Sequence, residues 1–386
     1  MVRIEKMKVA FATIDLYSGR EWLMPWRTVI EVCLRMNANG IDAHVINVPV
    51  VAPAEDYTFH HPDGQQVAIK SAPRDFEKFC KYVESEGYDV VIYPTPWREA
   101  LKRSFKAFSC AKCRKIAYIP GGVYKIGDCL TLARWSGMSV AKPYLVDALT
   151  PDRQVAKILN YCGFETVVGL TPYTAEVLQK AGCRKVLSII TAKDGFAKLL
   201  PEPLNNIELP EKFLLFSGAP APTRGAKQIL QALDKVKHTD MRVVMLMRTD
   251  VGSDYEALEN AYRKMVHKER VVMLRQKVTR EQLRWIFEKA WYAMLPFVVV
   301  PSEVPVTYLE VMSCGTPVIT FDNGGTTCLL KDGLLIANKG VEGLAKTMDK
   351  AWENVELHDR LAANALHMMK VYPTWDEVAD QWIKLI

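Results

Sequence analysis

Short apolar runs alternate with segments of helical periodicity along almost the whole chain. Strands are predicted at 9–14, 43–48, 90–93, 115–119, 166–170 and 186–190, and amphipathic helices at 26–36, 76–86, 97–108 and 173–181. This alternation predicts parallel sheets that are covered by helices on both faces. Residues 57–70 are an exception, because two short alternating segments flank the turn sequence HPDG and predict a β-hairpin.

The alternation is interrupted at 200–211 (LPEPLNNIELPE), a stretch without periodicity that is typical of a linker. Beyond it, strands are predicted at 213–216, 243–247, 271–274, 292–295 and 317–321, and helices at 226–236, 255–266, 280–289, 307–314 and 341–352. We therefore predict an α/β protein of two doubly wound, Rossmann-like domains, at 1–203 and 204–370, facing each other across a ligand-binding cleft. The final segment, 371–386, is predicted to form a helix that crosses back to the first domain.

The composition is that of a globular protein. Hydrophobic residues make up 49% of the 386 residues, and no run reaches the roughly 18 apolar residues that a membrane span needs. Nine cysteines are present, and they are scattered in a way that is typical of reduced thiols, so a cytoplasmic location is expected. Cys110 and Cys113 form a lone CxxC without the further ligands of a zinc site, and we interpret it as a coincidence.

Positive charge is concentrated at 98–115. The chain has a net charge of +6, and this segment alone holds seven Lys or Arg residues and one Glu. Phe105 and Phe108 are interleaved with the cations, so a helix here could present rings and charge to a membrane surface or an anionic substrate. The alternative is a solvated helix that buries Leu101, Phe105 and Phe108 in its own domain. No nucleic-acid-binding module is recognisable, so nucleic acid is not expected as a partner.

The segment SEVPVTYLEVMSCGTP at 302–317 holds the richest candidate chemistry. Thr307 and Glu310 have the spacing of a capping box at the start of a helix, and Glu303 is an acid that the helix dipole would favour. A helix start at the carboxyl edge of a parallel sheet is also a place where phosphate and ribose groups bind. The spacing alone leaves the structural and the ligand-binding interpretations open.

The longer run SEVPVTYLEVMSCGTPVITFDNGG resembles glycosyltransferase family 4, the retaining enzymes of the GT-B fold. The likeness extends to FLLFSGAPAPTRGAKQILQAL (213–233), VVMLRQKVTREQLRWIFEKAWYAMLP (271–296) and VVGLTPYTAEVLQKAG (167–182). It rests on a set of matching positions in the first of these runs: Glu310, Gly315, Pro317, Val318, Gly324 and Gly325.

The resemblance implies roles for residues of the second domain. Glu310 would bind the ribose hydroxyls of a nucleotide-sugar donor. Glu303 and Arg224 would be catalytic, the first in contact with the transferred sugar and the second neutralising the departing diphosphate in place of the family's lysine. The other implied donor-binding residues are Gly218, Val306, Thr307, Lys277 and Val278.

Several positions depart from the family pattern. In the first domain, Gly121-Gly122 stands where the family often has a histidine, and its N–H groups could approach the sugar. Gly19-Arg20 replaces a glycine pair, and Arg20 could contact phosphate or acceptor. In the second domain Ala219 replaces an arginine, and six residues separate the two glutamates where the family usually has seven.

The implied reaction is a retaining transfer of a sugar from a nucleotide-diphosphate donor to an acceptor hydroxyl, without a metal or other cofactor. The acceptor would be a glycan, lipid-linked or other, and 98–115 is the candidate for peripheral contact with the inner face of a membrane. Ala219 and the absent histidine motivate a second hypothesis, a non-catalytic GT-B partner subunit or sugar-nucleotide sensor. A third is a nucleotide-sugar epimerase, which the fold alone does not exclude.

Overall fold

The structure is a computed structural model that describes residues 6–95, 97–205, 207–248 and 254–386. The strands are β1 (Lys8–Ile14), β2 (Asp42–Val48), β3 (Tyr57–His60), β4 (Gln66–Ser71), β5 (Val90–Pro94), β6 (Arg114–Ile119), β7 (Phe164–Gly169), β8 (Val186–Ser188), β9 (Leu214–Gly218), β10 (Val243–Met247), β11 (Val271–Leu274), β12 (Tyr292–Met294), β13 (Val318–Phe321) and β14 (Leu334–Ala337). The helices are α1 (Trp26–Ala38), α2 (Phe76–Ser85), α3 (Ile126–Ser136), α4 (Met138–Ala148), α5 (Asp152–Tyr161), α6 (Pro172–Ala181), α7 (Ala226–Leu233), α8 (Tyr255–Lys264), α9 (Arg280–Lys289), α10 (Val306–Ser313), α11 (Gly325–Leu330), α12 (Val341–Glu353), α13 (Val355–Val371) and α14 (Trp375–Ile383).

The chain divides into two compact units by its internal contacts. The first comprises Met1–Val123, Leu149–Ala192 and Pro373–Ile386, and the second comprises Tyr124–Ala148 and Lys193–Tyr372. The sequence-based division assigned all of 1–203 to the first domain, so it did not anticipate that α3 and α4 belong to the second unit. Helix α14 belongs to the first unit.

The first unit is built on an eight-stranded sheet of order β3-β4-β2-β1-β5-β6-β7-β8. Among the strand pairs of this sheet that the structure describes, the β3–β4 hairpin alone is antiparallel, and it confirms the predicted hairpin at 57–70. Alternate residues of β1 face two different cores, Val9 and Phe11 on one side and Ala10 and Ala12 on the other. Burial on both faces explains why the parallel strands are continuous apolar runs. On one face Trp382 of α14 packs against Phe11, with ring centroids 5.1 Å apart.

The second unit contains a six-stranded parallel sheet of order β11-β10-β9-β12-β13-β14. Its core includes Phe216 of β9 together with Leu132 of α3 and Ala141 of α4. Trp135 of α3 packs on Phe321 at the end of β13, with ring centroids 5.8 Å apart. The α3–α4 pair is therefore a structural part of this unit.

The basic segment differs from its prediction. Residues 97–108 do not form an α-helix; this part of the chain is occupied by two 3-10 segments, Glu99–Leu101 and Arg103–Cys110. Phe105 and Phe108 are 0% and 1% exposed, whereas Leu101 is 36% exposed. The two rings lie in an aromatic cluster around Phe76, at centroid distances of 5.2 and 5.9 Å. Burial in this cluster means that the rings are not presented to a membrane, and the alternative of a solvated segment with buried phenylalanines is correct for these two residues.

Helices α3, α4, α5, α11 and α13 were not predicted. In α3 the apolar residues Ile126 and Leu130 are 46% and 45% exposed, and α4 contains Pro143 within the helix. Helix prediction depends on a single apolar face, and apolar residues on the exposed side of α3 make that face harder to recognise in the sequence. Within the predicted linker, Asn206 lies outside the described residues. None of the described helices is both long enough and apolar enough to cross a lipid bilayer.

Candidate active site

The carboxyl end of β9 brings a glycine and an arginine together. Gly218 ends the strand with a φ of +148°, and Arg224 follows on the short 3-10 turn Pro222–Arg224. An ideal Cβ built on Gly218 would lie 3.0 Å from Arg224 Nη1. The guanidinium therefore rests on the strand end, and a side chain at 218 would have to displace it by a few tenths of an ångström. Gly218 and Arg224, two of the predicted donor-side residues, are in contact.

The turn that carries Arg224 is locked against the loop after β12. Gly225 has a φ of +72°, and an ideal Cβ there would lie only 2.5 Å from the carbonyl oxygen of Pro296. The Val298 N–H donates to the Thr223 carbonyl at 2.9 Å. Since real Cβ atoms do not approach that closely, the glycine at 225 is required for the two loops to meet.

Aromatic packing connects this arginine to α10. Arg224 Cζ lies 5.8 Å from the ring centroid of Phe297, and the Phe297 ring lies 5.8 Å from that of Tyr308. The Tyr308 hydroxyl donates to the Leu295 carbonyl at 2.9 Å and lies 2.8 Å from Thr320 Oγ1. Burial raises the pKa of Tyr308. These contacts fix α10 on the ends of β12 and β13.

The loop before α10 carries the first candidate acid in a strained backbone. Glu303 is 2% exposed, and its neighbour Val304 is fully buried. Val304 has a φ of +54°, a conformation that is unusual for a β-branched residue. Its N–H donates to Thr326 Oγ1 at 2.9 Å. The contact with Thr326 helps to hold the loop in a shape that its own sequence does not favour.

The predicted capping box is wrong. Helix α10 begins at Val306, its N-cap is Pro305, and no side chain caps it. Thr307 is thus inside the first turn, where its hydroxyl cannot serve as the N-cap acceptor, and proline offers no side-chain oxygen. Glu310, one turn further along α10, has a side chain that is 14% exposed, and one of its oxygens lies 3.8 Å from Arg280 Nη2.

The base-side residues lie in the connection between β11 and α9. Lys277 is exposed and Val278 is half-buried. Thr279 then caps α9, with a capping box completed by Gln282. The first residue of α9 is Arg280, and its pairing with Glu310 brings the start of α9 to the middle of α10.

Three further polar residues were missed by sequence reasoning. Asp322, just after β13, accepts hydrogen bonds from the Gly324 N–H at 3.1 Å and from Thr327 Oγ1 at 2.8 Å, and it pairs with Lys125 Nζ at 3.1 Å. Burial acts to raise the pKa of Asp322, but the hydrogen bonds and Lys125 outweigh it and lower the pKa. The adjacent Tyr124 donates to the Pro301 carbonyl at 3.4 Å.

Tyr124 also lies in the electrostatic environment of Glu303. The pKa of Tyr124 is raised, first by burial and then by nearby groups that include Tyr144, Asp147 and Glu303. Tyr124 and Lys125 are far from the glutamate loop in sequence. No local pattern could have identified them, because their place depends on the packing of α3 within the second unit.

The predicted acceptor-side residues belong to the first unit. Gly19 has a φ of +90°, and its N–H donates to Glu21 Oε2 at 2.7 Å. The Arg20 guanidinium carbon lies 5.2 Å from the ring centroid of Tyr17. Gly121 and Gly122 follow β6 and are half-buried.

Residues 203–368 match the family model Glycosyl transferases group 1. This match lies within the second unit. The matched segment includes all the predicted donor-side residues, from Gly218 to Glu310, and it supports the expectation of a transferase.

One curated relative is similar over part of the chain. A D-inositol 3-phosphate glycosyltransferase from Nocardioides sp. (strain ATCC BAA-499 / JS614) is 32% identical over 97 residues, which make up 24% of this chain and 21% of that protein. The matching region therefore spans about a fifth of the length of that relative.

Solved structures resemble the chain over nearly its whole length. A sucrose-phosphate synthase from Thermosynechococcus elongatus has a TM-score of 0.69 at 14% identity, covering 98% of both chains. An alpha,alpha-trehalose-phosphate synthase (UDP-forming) from Burkholderia vietnamiensis has a TM-score of 0.65 at 8% identity, covering 98% of this chain and 99% of the other. Anabaena HepE in complex with UDP and glucose has a TM-score of 0.64 at 13% identity, covering 98% and 99%. The fold is GT-B, as predicted.

Proposed function

We propose that the protein is a retaining glycosyltransferase that moves a sugar from a nucleotide-diphosphate donor to an acceptor hydroxyl. The carrying observation is the cation of Arg224 resting on the end of β9 within a glycosyl transferases group 1 domain. The bond between the sugar's anomeric carbon and the diphosphate oxygen breaks, and a new bond forms to the acceptor oxygen on the same face. The acceptor's proton leaves with the nucleoside diphosphate.

In this proposal five of the donor-side residues have a physical task. Arg224 stabilises the negative charge that develops on the leaving diphosphate. Glu310 accepts hydrogen bonds from the ribose hydroxyls, and Glu303 contacts the transferred sugar. Lys277 and Val278 border the base. No metal is required in this scheme, because the arginine supplies the positive charge.

A binding screen tests the donor assignment. Wild-type protein is heated with UDP, GDP or ADP and with their hexose conjugates, and a ligand that binds only the native state raises the melting temperature. We expect one nucleotide class to do so and Glu310→Ala to lose most of that shift. If no nucleoside diphosphate or nucleotide sugar binds, the proposal is wrong.

A turnover assay with the binding nucleotide sugar separates this function from the others that share the fold. Transfer requires an acceptor, and NMR of the product should show the donor's anomeric configuration. Binding without turnover would instead identify a sensor or partner subunit. Conversion of the nucleotide sugar in the absence of an acceptor would identify an epimerase.

We propose that the acceptor carries a phosphate group. The names of the relatives include inositol 3-phosphate, sucrose-phosphate and trehalose-phosphate, and Arg20 is a cation on the acceptor-side loop. Phosphorylated cyclitols and hexoses should therefore be better acceptors than the unphosphorylated compounds. Arg20→Gln should raise KM for the phosphorylated acceptor and leave KM for the donor unchanged. Equal kcat/KM for the phosphorylated and the unphosphorylated acceptor would exclude a phosphate requirement.

A lipid-linked acceptor would require contact with a membrane through 98–115. The burial of Phe105 and Phe108 limits any such contact to the cations, of which Lys102 already pairs with Glu99. We therefore propose only an electrostatic contact, which vesicles test directly. Binding should need anionic lipid and should disappear in the triple charge reversal of Lys102, Arg103 and Lys106. Failure of the wild type to bind anionic vesicles would rule this contact out.

A further inference from the structure

Arg280 lies between two carboxylates of the second unit. Its Nη2 atom forms a close ion pair with Asp194 Oδ2 and lies 3.8 Å from Glu310 Oε1. The two acids have side chains that are only 9% and 14% exposed. Like charges at such poorly solvated positions repel each other unless a cation stands between them.

Asp194 is itself held firmly. Its Oδ1 atom accepts the Phe196 N–H at 2.9 Å and caps the 3-10 segment Gly195–Lys198. Phe196 is fully buried and packs on Phe287 of α9, with ring centroids 5.7 Å apart. The Arg280 guanidinium carbon also lies 5.5 Å from the centroid of the Phe196 ring. Asp194 and Phe196 thus fix the position of the Arg280 guanidinium.

We propose that Arg280 is a positioning residue for the donor site, which holds the Glu310 carboxylate oriented toward the ribose hydroxyls of the nucleotide. This inference rests on the proposed role of Glu310. At 3.8 Å the pair is an ion pair and not a direct hydrogen bond. The cation therefore sets the direction of the carboxylate while the carboxylate oxygens act on ligand hydroxyls.

The chain offers a matched control one helical turn away. Arg284, also on α9, donates through Nη1 to the carbonyls of Ala197 (at 2.6 Å) and Leu199. It therefore tethers the same 194–199 segment as Arg280 does, and its ion-pair partner is Glu288. Arg284→Met removes a tether of the segment, whereas Arg280→Met removes both a tether and the cation beside Glu310.

The experiment measures binding of UDP and of 2′,3′-dideoxy-UDP by calorimetry, with GDP and ADP and their dideoxy forms tested if UDP does not bind. For the wild type we expect the ribose hydroxyls to strengthen binding. Arg280→Met should weaken ribonucleotide binding about tenfold, the scale of one lost hydrogen bond to a charged group, and should leave dideoxynucleotide binding unchanged. Arg280→Lys should restore part of the loss, and Arg284→Met should change neither affinity.

The possible outcomes separate the inference from the proposed function. Equal losses for the ribo and dideoxy forms, or equal losses in the Arg280 and Arg284 variants, would show a tethering role only and would overturn the inference. The same holds if Glu310→Ala removes the ribose preference while Arg280→Met leaves it intact. If the wild type binds no nucleoside diphosphate, the proposed function fails and the role of Arg280 fails with it.

Discussion

The Nη1 atom of Arg224 lies 3.0 Å from the position that a Cβ on residue 218 would occupy. The two residues are six positions apart in the sequence, and the short turn after β9 brings them together. Because residue 218 is glycine, the guanidinium can lie this close to the strand end without being displaced by a side chain. A substitution at Gly218 can therefore displace the Arg224 guanidinium without changing its charge.

Gly218→Ala should affect both stability and donor binding. A φ of +148° is rarely adopted by residues with a side chain, so we expect the free energy of unfolding to fall by about 1–3 kcal/mol. The new methyl group would also displace the Arg224 guanidinium, and binding of the nucleoside diphosphate should weaken. Urea denaturation and calorimetry measure the two effects.

Gly340→Ala is the matched control for this variant. Gly340 has a φ of +131° in the same unit, and no atom lies within 4 Å of its ideal Cβ. It should lose a similar amount of stability and keep its nucleotide affinity. If Gly218→Ala binds nucleotide as well as Gly340→Ala does, the guanidinium position is unimportant for binding.

Arg224→Gln removes the positive charge at the end of β9. We expect kcat to fall by roughly 10²–10³, the usual effect of deleting one group that stabilises transition-state charge. Arg224→Lys should retain part of the rate, because a lysine keeps the charge without the bidentate geometry. The exposed Arg263 of α8 supplies a control, and Arg263→Gln should leave steady-state rates unchanged. A kcat for Arg224→Gln within about twofold of the wild type would remove this residue from the mechanism.

Thr326→Val tests the strained loop that carries Glu303. The variant removes the acceptor of the Val304 N–H, and the buried N–H would be left unpaired at a cost of about 1–3 kcal/mol. Relaxation of Val304 should move Glu303 and lower kcat. Denaturation and initial rates are measured on the same preparations.

Thr316→Val is the control, because it also removes a buried hydrogen bond of a threonine hydroxyl but at a different place. Thr316 lies just before β13, and its hydroxyl donates to the Phe287 carbonyl at 2.5 Å. It should lose stability while keeping kcat near the wild-type value. Equal losses of kcat in both threonine variants would show that general destabilisation, and not the loop, controls the rate.

Thiol labelling checks the packing of both units. Cys110 and Cys328 are exposed, whereas burial raises the pKa of Cys129, Cys162 and Cys183 to about 11 each. At pH 8 a thiol reagent should react quickly with the first two. The buried three should react at least about 10² times more slowly, because less thiolate is present and access is blocked. The variant Cys110→Ser/Cys328→Ser should lose the fast phase, and rapid labelling of the buried three in native protein would contradict the structure.

Chelation tests the proposal that transfer needs no metal. Prolonged dialysis against EDTA should leave kcat unchanged, because Arg224 supplies the positive charge at the leaving diphosphate. Activity that is lost on dialysis and restored by Mg²⁺ or Mn²⁺ would contradict the proposal. Adding the same ions to untreated protein controls for inhibition.

Local patterns were sufficient for every strand of the first sheet and for all of the second except β14, which was not predicted. The predicted bounds of β10, β11 and α9 coincide with the observed ones, because strand and helix periods are properties of consecutive residues. The motif likeness likewise located Gly218, Arg224 and Glu310 within one domain. The capping box failed because it needs Thr307 as the N-cap, whereas α10 begins at Val306 and Thr307 lies inside its first turn.

The tertiary structure alone decided the remaining relationships. The sequence determined two α/β halves and the positions of the donor-side motifs. It did not determine that α3 and α4 belong to the second unit, that Phe105 and Phe108 are buried, or that Arg280 pairs with Glu310 and Asp194. These features depend on contacts between residues that are far apart in the chain, and the periodicity of consecutive residues carries no information about such contacts. The left-handed backbone of Val304 has the same origin, since the surrounding packing holds a conformation that the residue itself disfavours.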